Sequence, residues 1–204
     1  MLIKTPVDSG VIIPRATIIQ MLEDRNVPHK SWGTGTSRTL NDLFTYHERD
    51  RVYFRTEASP ELIIDVHVAV VVVTHRVRSA WLELYEERQV FTSGKVLKRR
   101  NFNGIAETMQ RSEDMQTSAR RCLAEELQFR DPSKYKLSEC LEIRHHPPIP
   151  SEKWPGLTAV YHRHMHECTI SRSLYQQNGY VEEESDGRKI YFAWRPLNQH
   201  QFAM

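Results

Sequence analysis

The stretch Arg120–Phe129, RRCLAEELQF, sets two adjacent glutamates, Glu125 and Glu126, one helical turn beyond Arg121 and Cys122. Residues four apart share a face of a helix, so Cys122 lies under Glu126 and Arg121 under Glu125. The helix is expected to start at Ser112, a good N-cap, with Glu113 and Asp114 in a first turn where the helix dipole favours negative charge. Met115, Ala119, Leu123 and Leu127 recur at a spacing of four and form an apolar stripe that must pack on a sheet. Asp131-Pro132 reads as the end of the helix. Adjacent carboxylates raise each other's pKa unless a cation or an arginine offsets them. Magnesium takes one or two carboxylates and completes its shell with water and phosphate oxygens, so it would supply that cation. An ordinary solvated helix face is the competing reading of the glutamate pair taken alone.

Strand patterns lie on both sides of this helix. Before it, the β-branched run LIIDVHVAVVVV (Leu62–Val73) is too short for a bilayer span and is broken by Asp65 and His67, so it reads as a buried strand. AWLELYE (Ala80–Glu86) alternates as a second strand, joined through a hairpin connection at HRVRS. After the helix, Leu141–Arg144, Leu157–Cys168, Tyr180–Glu184 and Ile190–Trp194 read as strands, the last two joined at Asp186-Gly187, a strong hairpin signal. Two short helices are expected near the N-terminus, over Pro14–Arg25 and Arg38–His47. Strands, one long helix and more strands argue for an α+β sandwich. Residues 1–60 form an N-terminal elaboration with short helices, and residues 61–204 form the main domain.

The 204 residues, 39% hydrophobic and 26% charged with a formal net charge of +2, have the composition of a soluble globular protein. The only basic run is Lys98–Arg100, so no extended nucleic-acid surface is expected. Three widely spaced cysteines fit neither a disulfide framework nor a zinc ribbon, which favours a reducing compartment. The N-terminus has no sustained apolar run before its prolines, and a cytoplasmic location is expected.

Several further groups are candidates for chemistry. A later carboxylate is available from VEEESD (Val181–Asp186), read otherwise as a solvated hairpin tip, or from Glu167. His162, His164 and His166 alternate and share one strand face, but imidazoles about 7 Å apart cannot all reach one ion without a bend, so a polar face lining a cleft is the better reading. His145-His146-Pro147-Pro148 reads as a rigid loop, and Ser31–Thr36, SWGTGT, as a structured turn without a phosphate-binding lysine. Arg38, Arg99 and Arg100 are candidates for substrate phosphates. Cys122 is a minor candidate nucleophile.

Glu113, Arg121, Leu123, Glu125, Glu126 and Phe129 stand in the register E-x7-R-x-U-x-E-E-x-x-U, with U an aliphatic position. This resembles the Nudix box, G-x5-E-x7-R-E-U-x-E-E-x-G-U. Gly104, in NGIAE, precedes Glu113 with eight residues between them where the family has five, which implies an inserted loop. Gln128 replaces the glycine that ends the helix and suggests a different exit, and Cys122 replaces the first glutamate of the R-E-U-x-E-E core. The phrases GIAETM, EKWPGLTAVYHRH and IYFAWRP look similar to a less characterised branch of Nudix-like proteins. The resemblance spans Leu62–Pro196.

The resemblance implies a Nudix-type α/β/α sandwich with a mixed sheet. It implies a metal-dependent hydrolase cleaving a diphosphate linkage in a nucleoside diphosphate derivative or a related organic diphosphate, with Mg2+ (or Mn2+). Glu125 and Glu126 would bind metal with the carbonyl of Gly104, Arg121 would orient the glutamates with support from Glu113, and Arg99 and Arg100 would meet substrate phosphates. The alternative is a catalytically inactive Nudix-like nucleotide-binding or regulatory module. A small-molecule partner and no membrane partner are expected, and a homodimer is left open.

Overall fold

The computed structural model describes residues 12–35, 37–49, 51–55, 60–98, 104–110, 113–184 and 186–197. The chain is α+β, a mixed sheet with a few helices. In chain order it runs α1 (Arg15–Asp24), α2 (Leu40–Glu48), β1 (Tyr53–Phe54), β2 (Ile63–Val77), β3 (Ala80–Val90), β4 (Val96–Lys98) and β5 (Ile105–Thr108). There follow α3 (Met115–Glu126), β6 (Tyr135–Leu137), β7 (Glu142–His145), β8 (Ile149–Pro150), β9 (Thr158–Ile170), β10 (Tyr180–Glu183) and β11 (Lys189–Pro196). The sheet order is β10-β11-β3-β2-β9-β6, with the short strands β1 and β5 on β2, β4 on β3, and β7 and β8 on β9.

Two compact units divide the chain. One takes the described residues up to Val68 with Thr108–Asp114 and Arg144–Arg163. Both expected N-terminal helices are present in it. Thr39 caps α2 reciprocally: its hydroxyl accepts from the Asp42 N–H at 3.1 Å and the Asp42 carboxylate accepts from the Thr39 N–H at 2.8 Å. That arrangement satisfies two otherwise orphaned donors at the helix start. Ile18 and Leu22 of α1 and Leu43 and Phe44 of α2 then share a core with Ile64, Val66, Trp154 and Leu157.

The other unit contains Ala69–Glu107, Met115–Ile143 and the described residues from His164 onward. Ala69–His75 is buried at every position. A continuous run of β-branched and small residues fits a strand covered on both faces, where alternation would leave a polar side chain in an apolar layer. Ala119, Leu123 and Leu127 of the expected stripe join Val71, Val73, Ile105 and Phe192 in the core of this unit together with Cys122, which the stripe did not include, while Met115 is half-buried outside that cluster. The β2–β3 hairpin closes at Val77 opposite Ala80, with Arg78 at φ +56 in the left-handed region that such two-residue turns demand.

Helix α3 departs from expectation at both ends. It begins at Met115, so Glu113 and Asp114 precede it rather than fill its first turn, and Ser112 lies outside the described residues. Glu113 instead closes a turn: its N–H donates to the Gln110 carbonyl at 3.0 Å and its carboxylate accepts from the Gln110 N–H at 3.1 Å. The helix ends at Glu126, well before Asp131, which caps the following turn by accepting from the Ser133 N–H. Gln128 adopts φ +61, so it takes the left-handed conformation itself and does not give the different exit its side chain suggested. Its Nε2 donates to the Glu125 carbonyl at 3.1 Å, a local bond that offsets part of the backbone cost. Gln128→Gly is expected to stabilise the chain by roughly 0.5–1 kcal/mol, read as a higher urea midpoint with an unchanged slope. The segment before α3 also contains β5, which its polar composition hides.

Candidate functional site

Within the second unit, α3, β5 and β10 bring a set of carboxylates together. Glu126 on the last turn of α3 faces Glu182 on β10, close enough for a hydrogen bond between the two side chains, with Glu107 of β5 and Glu184 nearby. Two facing carboxyls can make that bond only if one of them keeps a proton. Burial is the first cause that raises the Glu126 pKa, followed by the bond to Glu182 and the charges of Glu182, Glu107 and Glu184. Glu182 is raised as well, first by burial and then by the charges of Glu184 and Glu107, against the opposing pull of Glu126 and Arg188. The pair is best treated as one proton-sharing unit. Glu182 Oε2 is buried and accepts no hydrogen bond.

Arg121 is held differently. Its guanidinium donates to Glu125 Oε2 at 2.9 Å and lies 3.6 Å from Glu107 Oε1. The Arg121 side chain is 16% exposed and that of Glu125 is 49% exposed, so Glu125 faces outward while Arg121 reaches back to the carboxylate cluster. The step of about 100° between consecutive helix residues thus puts the two adjacent glutamates into different environments. Cys122 is fully buried in the apolar core below Glu126. Burial, then the charges of Glu126 and Glu107, push its thiol well above the ordinary range. A thiol held neutral in this way is inert as a nucleophile.

Gly104 immediately precedes β5. Its N–H donates to the Leu84 carbonyl at 2.9 Å, its φ is +85, and a Cβ there would stand 2.1 Å from the Val71 carbonyl oxygen. Only glycine meets both conditions. Of the other candidates, Glu113 lies in the first unit. Arg99 and Arg100 are outside the described residues. On β9, His164 and His166 are buried and His162 is half-buried. The Glu167 N–H donates to the Ser138 hydroxyl oxygen at 2.9 Å. The turn at Trp32 is fixed by the indole donating to the Pro155 carbonyl at 2.9 Å.

Glu107 was not singled out by the sequence, and Glu182 was present only as one of several acids in VEEESD. Alternation carries the missing signal: Glu107 shares a strand face with buried Ile105, and Glu182 with buried Tyr180. Arg188 is a further group of this region, donating to Glu184 Oε1 at 2.8 Å and Gln89 Oε1 at 3.1 Å. Glu126 and Glu182 are the side chains that could hold a cation together. Among the described residues no three His, Cys, Asp or Glu side chains form a complete ligand set on their own.

No protein-family model matches the chain, and no curated protein matches it. Solved structures with similarity include a C. elegans Ap4A hydrolase, 13% identical over 61% of this chain and 78% of that one, with a TM-score of 0.34. The E. coli dihydroneopterin triphosphate pyrophosphohydrolase is 15% identical over 64% of this chain and 79% of that one, TM-score 0.38. The NUDIX domain of Shewanella oneidensis NrtR, complexed with ADP ribose, is 14% identical over 65% of this chain and 73% of that one, TM-score 0.36. Similarity at this level carries neither activity nor substrate across to this chain. No described helix is long and apolar enough to cross a membrane.

Proposed function

We propose that this chain is a metal-dependent hydrolase of the Nudix type, cleaving a diphosphate linkage in a nucleoside diphosphate derivative or a related organic diphosphate. The observation that carries the reading is the meeting of Glu126, in the register E-x7-R-x-L-x-E-E, with Glu182 and Glu107 in one half-buried cluster. A solvated helix face would not place its glutamate against two other carboxylates. The donor set is all oxygen and suits Mg2+ or Mn2+, which need only one or two protein carboxylates when water and phosphate complete the shell. The bare Glu182 Oε2 and a pair that otherwise has to retain a proton are what such an ion would satisfy.

When bound, the ion would neutralise diphosphate oxygens and lower the pKa of an attacking water. Glu126 and Glu182 would hold it, with the carbonyl of Gly104; Glu125, expected beside them as a ligand, is turned outward onto Arg121 and would act through that pair. Arg121, tied to Glu125 and Glu107, fixes the last turn of α3 so that Glu126 keeps its aim. Glu113 supports the turn that leads into α3. Arg99 and Arg100 are assigned to the substrate's phosphates. The expected setting is a reducing, cytoplasmic one, consistent with three free thiols at Cys122, Cys140 and Cys168.

A second reading, a Nudix-like nucleotide-binding or regulatory module without turnover, is favoured by one observation. Cys122 occupies the place of the first core glutamate and is fully buried. The test is a screen of nucleoside diphosphate derivatives with Mg2+ and with Mn2+, the parent beside Cys122→Glu. Metal-dependent phosphate release by the parent supports the hydrolase; ligand-induced thermal stabilisation without turnover in the parent, with activity in Cys122→Glu, supports the module. In the absence of metal Cys122→Glu is expected to lower stability by more than about 3 kcal/mol, because it buries a carboxyl beneath Glu126. Thermal melts with and without Mg2+ check this, with partial recovery expected on adding the ion.

A further inference from the structure

The first unit gathers positive charge on a single aromatic ring. Arg38, Arg51 and Lys153 come from three separate segments, before α2, after α2 and ahead of β9. The Arg38 guanidinium carbon lies over Tyr46 at 4.8 Å from the ring centroid, that of Arg51 at 5.7 Å and the Lys153 Nζ at 5.5 Å. All four residues are half-buried. A ring has two faces, so at least two of the three cations share one.

The backbone holds this arrangement in place. Tyr46 stands on α2, edge-on to the buried Trp154 with ring centroids 5.5 Å apart. The Trp154 indole donates to the Thr39 carbonyl at 3.3 Å, and the Arg38 N–H donates to the Lys153 carbonyl at 2.8 Å. These two bonds fix the Lys153 segment against the start of α2. Asp42, the acid that feels the Arg38 charge, turns its Oδ2 to the Thr39 N–H and hydroxyl. Arg38 forms no ion pair with a described residue. Three like charges around one ring repel one another, and an anion of several charges among them removes that repulsion.

We infer that Arg38, Arg51 and Lys153, arranged around Tyr46, form a binding site for a phosphoryl anion of two or more charges, a diphosphate group above all. A guanidinium over a ring offers its edge N–H groups to two phosphate oxygens at once, and the Lys153 ammonium adds a compact point charge. A lone carboxylate brings one charge and leaves most of the cluster uncompensated. The site uses no carboxylate and no metal ion, so it stands independently of the hydrolase reading.

Calorimetric titration of the full chain with inorganic pyrophosphate, in EDTA to keep divalent cations from the carboxylates, tests the inference. One pyrophosphate per chain is expected, with binding that weakens as salt is raised. Affinity is expected to fall at least tenfold in Arg38→Ala and in Lys153→Met, the second of which keeps the apolar stem of the lysine. Glu126→Gln is expected to bind pyrophosphate as the parent does. ADP carries the same group on a nucleoside: binding at least tenfold tighter than pyrophosphate assigns the site to a nucleotide, and equal binding assigns it to the free anion. No binding of either by the parent, or parent-like affinity in either charge variant, overturns the inference. Loss of binding in Glu126→Gln overturns it too. Lys153→Met removes only a charged head, so it keeps the test decisive even where Arg38→Ala impairs folding. Circular dichroism reports the fold of each variant.

Discussion

Glu126→Gln is expected to act in opposite directions on activity and stability. Magnesium-dependent hydrolysis should fall by about a thousandfold, because the ion loses a ligand at the point where charge develops on phosphorus. Thermal stability without metal should rise by about 1 kcal/mol, roughly 2–4 °C for a chain of this size. The sign follows from linkage. A carboxyl whose pKa is raised on folding binds its proton more tightly in the native state, so folding takes up a proton. Its environment costs nothing below the unfolded pKa, about 4.3, and costs more as pH rises from there toward the raised folded value. Glutamine keeps the shape and the hydrogen bond to Glu182 without the charge. The stabilisation should therefore be present at pH 7 and vanish near pH 4. Scanning calorimetry at the two pH values, beside a steady-state assay in Mg2+, checks both halves. Equal or lower stability of the variant at pH 7 would contradict the shared-proton description of Glu126 and Glu182.

Gly104→Ala is expected to have the largest effect on the fold itself. The added methyl would stand 2.1 Å from the Val71 carbonyl oxygen and 2.8 Å from its carbon, at a backbone φ of +85. Both contacts are backbone atoms of a strand buried on both faces, so neither side can yield cheaply. Overpacking and left-handed strain together are expected to cost about 3–4 kcal/mol, lowering the melting temperature by about 10 °C. Gly94→Ala provides the contrast. Its φ is +81 but no atom lies within 4 Å of the added carbon, so only the backbone strain applies, about 1 kcal/mol. Chemical denaturation of the two variants separates close approach from conformation. A cost for Gly104→Ala no larger than that for Gly94→Ala would contradict the described packing of β5 on β2.

Periodicity disclosed the long elements. The buried run after Leu62, the alternating strand after Ala80 and the stripe through Ala119 and Leu123 are all where their patterns put them, because each is held by many apolar contacts that the pattern itself encodes. Local signals were weaker where tertiary context decides. The start of α3 was misread because Glu113 bonds back to Gln110 and forms a turn ahead of the helix. Its end was misread because Gln128 accepts a left-handed conformation that composition assigns to glycine. At the candidate site, Arg121 and Glu126 were legible from their spacing. Glu107 and Glu182 were not, because strand pairing decides which members of a short acidic segment face α3. The pairing of His162 with Asp65 and His145, 97 and 17 positions away, depends on strand register alone.

The central claim is that Glu126 and Glu182 share a proton until a divalent cation takes its place. The most direct measurement is the proton count on metal binding, from calorimetric titration of the chain with Mn2+ at pH 7 in buffers of different ionisation enthalpy. Ligands that hold a proton must lose it to bind a metal. Release of about one proton per Mn2+ is predicted for the parent, with none in Glu126→Gln. Mn2+ binding without proton release, or release undiminished in that variant, would contradict the account.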